Sequence, residues 1–248
     1  MTISLDLPYI LSGTLSLIAV IFAFIVGIKI CSKYLKIKKR VFLLVGLTAI
    51  FISEPWWPSA FGFLFILITG QNLSISFYLF MGVGFLPLLV LFWLTAFTDL
   101  LYNRYQKRIL LFFLIYGVIV EILLISLLVT NFNYIGEISG YFDPNYSLFI
   151  RLYQSSLLVL VGVTGILFAR ESIRSDDPDI KLKGKLFVLA IIIFLIGGIL
   201  DIIALIEFPS PLSIVLMMIA RISLFFAELS FYGALLLPNW MKKLLRRK

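Results

Sequence analysis

Five ionisable side chains stand inside long apolar runs: Glu54, Glu121, Asp201, Arg221 and Glu228. A charged group at the middle of a bilayer costs several kcal/mol or more, so it persists only beside a partner or a water-filled cavity. Three of the five fall in the last apolar hairpin, residues 186–237. Its runs, 186–207 and 211–237, are joined by Phe208-Pro209-Ser210-Pro211. Asp201 stands about seven residues, roughly 10 Å, below the outer end of its run, and Arg221 about ten residues, roughly 15 Å, below the same face. They share a depth on antiparallel neighbours and are expected to pair. Glu228 is two turns further along the Arg221 face. A buried pair of this kind is, at its plainest, a latch between two helices. The sharper reading is a ligand, proton or switch site, and the sequence leaves both open.

Measured from the inner face, Glu54 and Glu121 stand about thirteen and twelve residues up, roughly 18–20 Å by helical rise. Four spans thus place ionisable groups in one mid-to-outer layer. One fixed cation cannot neutralise four carboxylates, so some are expected to carry a proton. A proton-coupled or ligand-binding cavity would show this pattern; so would a polar core knitting the bundle by hydrogen bonds.

The elements that hold these groups follow from hydropathy. The 248 residues are 62% hydrophobic and 14% charged, with a mean hydropathy of +1.10. Seven spans consume most of the chain, at about 8–30, 41–62, 75–101, 109–130, 146–169, 186–207 and 211–237. The expected fold is all-α and integral to the membrane: a seven-transmembrane helix bundle forming one domain. No room remains for a soluble catalytic domain, so an enzyme is not expected. The start, MTISLDLPYI, has no basic segment or small-residue cleavage site, and the first run reads as a retained span.

Charge sets the orientation. Of 21 Lys and Arg, nineteen fall in 29–40, 104–108, 170–185 and 242–248, all on one side of the spans. By the positive-inside rule that side is cytoplasmic, the N-terminus is outside and the C-terminus inside. Only Arg151 and Arg221 lie elsewhere. The net charge of +8 is therefore a topology signal with an attraction to anionic lipid, and no nucleic-acid motif accompanies it. The lone cysteine, Cys31, forbids an intramolecular disulfide, and the absence of histidine excludes imidazole catalysis and His-ligated metal or haem. No cofactor is called for.

Along the chain, Glu54-Pro55-Trp56-Trp57-Pro58 ends or kinks the second span. Residues 59–69 then form either an outward extension or a re-entrant piece. Gly82, Gly84 and Pro87 interrupt the third span. The outer loop 131–145 carries Tyr134 and Tyr141. With Trp56 and Trp57 they form either an outer aromatic belt or a ligand lid. Asp177-Pro178 resembles a helix N-cap and first turn. The tail NWMKKLLRRK has an apolar and a basic face, suiting either a membrane-surface helix or a solvated stop.

Several seven-span architectures fail residue by residue. No lysine lies within 211–237 to hold retinal. Asp99-Leu100-Leu101-Tyr102 and Leu236-Leu237-Pro238-Asn239 do not match the signatures of common G-protein-coupled receptors. Prolines do not recur in corresponding spans as in sugar transporters built from two repeats, and zinc hydrolases need His clusters. Three stretches do resemble the seven-transmembrane N-terminal sensory region of prokaryotic histidine kinases. They are Pro87-x4-Phe92 with Thr95-Ala96-Phe97-Thr98 and Arg104…Lys107-Arg108; Arg170–Lys185 leading into Leu195–Ile202; and Pro211-Leu212 with the closing Pro238. No kinase segment follows Pro238. The resemblance implies a receptor-like module in the cell membrane that senses a small or lipophilic ligand in the outer half of the bundle and acts through a separate cytoplasmic signalling partner. The rivals are a proton-coupled transporter or channel using the intramembrane acids, and a structural membrane protein.

The charge pattern makes a direct prediction about topology. Asn133→Cys, in a variant lacking Cys31, should react with an impermeant thiol reagent added outside intact cells, and Ser175→Cys should not. The reverse pattern would invert the orientation.

Overall fold

The protein is described by a computed structural model covering residues 7–138, 144–206 and 210–245. Among the described residues, seven helices are long and apolar enough to cross a membrane. The first is α1 (Leu7–Ile37). It outlasts the apolar run through Lys33, Leu35 and Lys36, which are good helix formers, and its last turn carries Lys36, a cation favoured at a helix C-terminus. Lys38, at φ 58°, ends it, and α2 begins at Arg40.

The second and third long helices are each broken near the middle. Arg40–Thr69 consists of α2 (Arg40–Phe51), a tight 3-10 turn at Glu54–Trp56 and α3 (Trp57–Thr69). Pro55 and Pro58 lack the N–H groups that would continue the α-helical ladder, and the chain tightens instead of stopping. The second span therefore reaches Thr69, well past the expected end at residue 62. Both halves lie antiparallel along α1, with Gly27 facing Gly46 and Ile50, and Gly13 facing Phe63. Residues 59–69 are thus a helical continuation. Ile75–Leu101 likewise consists of α4 (Ile75–Met81) and α5 (Leu86–Leu101), separated by turns at 82–85.

Four unbroken helices complete the set: α6 (Gln106–Thr130), α7 (Leu148–Ile173), α8 (Pro178–Ile206) and α9 (Pro211–Leu236). The first turn of α8 is capped by the Asp177 carboxylate, which accepts from the Asp179 N–H at 2.7 Å. Ser210 and Ser213 cap α9 reciprocally, each side chain accepting from the other's N–H at 3.1 Å. A short helix, α10 (Asn239–Leu245), tucks back: Met241 is buried against Gly233, and Lys242 pairs with Asp179. Trp240 and Leu244 of α10 stay exposed.

The basic segments gather at one end. There Arg40 holds Asp99 in a two-point ion pair at 2.7 and 2.5 Å, and Gln106 donates to the same carboxylate. At the far end, β1 (Gly136–Ile138) and β2 (Pro144–Tyr146) form a small antiparallel hairpin with Gly136 opposite Tyr146. Arg151 secures it, donating to the Tyr146 carbonyl at 2.7 Å and the Asn145 side chain at 3.1 Å. This explains one of the two basic residues outside the charge pattern. Arg40–Thr69 is the most enclosed of the long helices and Asn103–Thr130 the least.

The α1–α2 crossing depends on missing side chains. A Cβ on Gly46 would meet the Gly27 carbonyl and the Cys31 amide nitrogen, both at 2.7 Å. Gly46→Val should therefore destabilise the detergent-solubilised protein by about 1–3 kcal/mol, read as a lowered melting temperature. Gly198→Ala, whose Cβ would meet only Leu158 at 3.5 Å, should be neutral or slightly stabilising.

Candidate ligand-binding site

The expected pair forms, with a third member. Arg221 Nη1 of α9 donates to Asp201 Oδ1 of α8 at 2.8 Å, and the indole Nε1 of Trp56 donates to Asp201 Oδ2 at 3.0 Å. The Arg221 guanidinium also lies 5.8 Å from the centre of the Trp56 ring, within cation–π reach. Three helices are tied at one carboxylate. Arg221 is 1% exposed and Asp201 19%, so the acid reaches open space while the base is sealed behind it.

Glu54 precedes Trp56 by two residues in the same turn and faces a different neighbour. It is wholly buried, and its Oε1 accepts from the Phe85 backbone N–H at 2.5 Å. Phe85 opens α5, where no preceding turn supplies an acceptor, so the Glu54 carboxyl satisfies an orphan donor at a helix N-terminus. The breaks of the second and third spans thus meet and stabilise each other. Glu121, half-buried on α6, is near enough to act electrostatically on Glu54, and both act on Tyr153 of α7, whose ring lies 6.1 Å from that of Tyr116. Oε2 of each glutamate has no hydrogen-bond partner among the described residues.

Between α5, α7, α8 and the Trp56 turn lies a cleft of about 860 Å³ of non-atom space, part of it open to the outside. Its walls are mostly apolar, Leu89, Leu158 and Phe194 among them, and its polar groups are Trp56, Gln154, Ser155 and Asp201, with Tyr146 of the hairpin also reaching it. On the basic side of the cleft, Trp93 of α5 stacks on Phe187 of α8 at 6.0 Å, and Phe187 packs on Phe231 of α9 at 5.3 Å and on Phe168 of α7 at 5.1 Å. The Trp93 indole donates to Thr164 at 2.7 Å. A smaller void among these rings is lined almost wholly by apolar atoms. Its one hydroxyl, on Thr48, is already bonded to the Leu44 carbonyl at 2.8 Å. Such a void offers water no set of partners.

The five charged residues are not joined in one hydrogen-bonded group. They divide into Asp201 with Arg221, Glu54 with Glu121, and Glu228, whose Oε2 is buried without a partner among the described residues. Trp56 and Trp57, expected at an outer interface, are instead buried at 5% and 9% exposure. The proline-rich turn continues the helix into the bundle, so both indoles turn inward: Trp56 to Asp201, and Trp57 to the Ser53 hydroxyl at 3.0 Å and the Phe24, Phe51 and Phe85 rings. Tyr134 is 66% exposed; Tyr141 lies outside the described residues. Sequence reasoning missed Gln154 and Ser155, polar residues among apolar neighbours at the start of a span; their adjacency was the available signal.

Comparison with protein-family models, with curated proteins and with solved structures finds no match to this chain.

The Glu54 contact makes a graded expectation. Glu54→Gln keeps an acceptor for the Phe85 N–H and should fold with little loss. Glu54→Leu orphans that donor and should cost about 1–3 kcal/mol. Glu54→Lys sets a buried cation against the positive end of α5 and should not yield folded protein. Thermal melts and gel filtration of the three check the order; equal tolerance of Lys would place Glu54 in bulk water.

Proposed function

We propose that this chain is a receptor-like sensor or signal-relay module of a cell membrane, with its N-terminus outside and its C-terminus inside. It is not an enzyme, and its output passes to a separate cytoplasmic partner. The carrying observation is the cleft with a charged corner, underlain toward the basic end by stacked aromatic rings. A carrier or channel needs hydrated continuity, and this packing opposes it.

The contacts around the cleft supply a route for the signal. A ligand beside Asp201 meets Trp56, which sits in the same 3-10 turn as Glu54. Glu54 holds the start of α5, and α5 carries Asp99 near its other end, where Arg40 and Gln106 are bound. A shift of the turn by occupancy would reach the basic face through one rigid helix. The resemblance of Pro87–Phe92, Arg170–Lys185 and the last span to kinase sensory regions points the same way.

Transport is the second reading, favoured by one observation: two broken helices meeting at a buried carboxyl, an arrangement used by ion-coupled carriers. Proteoliposomes containing a pH-sensitive dye separate the two. The sensor reading expects proton flux no greater than in empty vesicles under an imposed gradient. Flux that is lost in Glu54→Gln would overturn it. Gly198→Phe, which fills the cleft as a ligand would, should alter amide hydrogen exchange across 99–106.

A further inference from the structure

We propose that the cleft binds an uncharged lipophilic alcohol, its hydroxyl bridging Asp201 on α8 and the Gln154–Ser155 pair on α7. This rests on the sensor reading above for what binding accomplishes. Gly198 faces Leu158 where α7 and α8 cross. One turn away along the antiparallel pair, Gln154 and Ser155 come level with Ile202 and Asp201. All four line the cleft.

Three features select the headgroup. Asp201 lines the cleft with its side chain 19% exposed, and a carboxylate offers about four lone-pair directions on its two oxygens. Gln154 and Ser155 make no side-chain hydrogen bond among the described residues, though both line a mostly apolar cavity. Groups that can both donate and accept are thus placed opposite one that only accepts. A hydroxyl satisfies both sides at once: it donates to Asp201 and accepts from Gln154 or Ser155. A carboxylate ligand meets Asp201 with like charge, because Arg221 is sealed behind the acid. An ammonium meets an acid whose charge Arg221 already offsets, and it carries its hydration cost into an apolar pocket. The walls set the remainder of the molecule as hydrocarbon.

A diazirine-carrying octanol, photolysed with purified full-length protein in lipid nanodiscs and mapped by peptide mass spectrometry, tests this. Adducts are expected within 154–158 and 198–202. An excess of 1-decanol should suppress them at a concentration about tenfold or more below that needed for decanoate or decylamine. Dioctanoylglycerol in a parallel arm tells a free single-chain alcohol from a neutral membrane lipid; competition by either supports the proposal. Combining Gln154→Leu and Ser155→Ala should weaken labelling about three- to tenfold without lowering the melting temperature. Adducts confined to other segments would overturn the proposal. Equal competition by decanoate or decylamine would overturn the headgroup assignment alone, leaving the cavity and the sensor reading intact. Proton flux in proteoliposomes would instead remove the sensor reading and leave the competition order untouched. If the double variant does not fold, the competition order still decides.

Discussion

The Asp201 carboxylate is the constraint on which the rest of the bundle turns. An aspartate within an apolar helix is costly to keep charged unless donors surround it. Here the donors come from two other helices, Arg221 of α9 and Trp56 of the 3-10 turn. For Trp56 to reach Asp201, the second span must be broken at Pro55. Once it is broken, Glu54 is carried to the start of α5 and completes that helix's N-terminus. The third span can then be broken at the same level without leaving a buried N–H unsatisfied. Two interruptions that would each weaken a helix become one joint.

The joint also shapes the cleft. An intact second span would bring an unbroken ladder of side chains against α8. The tightened turn instead projects Trp56 alone toward α8, with Ile52 and Pro55 beside the space. The hairpin held by Arg151 lays Tyr146 over the same region. Below, aromatic packing takes over from polar ties, with the Trp93–Thr164 bond as its one indole contact to a side chain. Ionisable groups within the bundle are thus concentrated in the half of the molecule away from the basic end, apart from the Asp99 cluster at that end's surface and Glu228 within α9.

Depth was legible in the sequence; facing was not. Helical rise alone places Asp201 and Arg221 at one level on adjacent antiparallel runs, and the observed pair follows from it. The same counting puts Glu54 and Glu121 at one height, and they do approach. What rise cannot give is which neighbour each side chain meets: Glu228, two turns along the Arg221 face, is buried with its Oε2 without a partner among the described residues. The tryptophans were misplaced for a related reason. An aromatic pair beside two prolines reads as a span's end, but prolines within the first turn of a continuing helix only tighten it, as at Pro55 and Pro58. The cleft itself arises from the joint of two broken spans, and no local pattern announces it. Gln154 and Ser155 gain their meaning only from what stands opposite.

Asp201 and Arg221 are held by each other inside the bundle. Thermal melts of Asp201→Asn, Arg221→Met and the double variant, in one detergent, test it most directly. Losing one member leaves the other buried without its charge partner, a loss of about 3–5 kcal/mol for Arg221→Met. Asp201→Asn should be milder, because the amide oxygen still accepts from the guanidinium and the Trp56 indole. The double variant is expected to melt above Arg221→Met alone. Additive losses, with no recovery in the double variant, would contradict it.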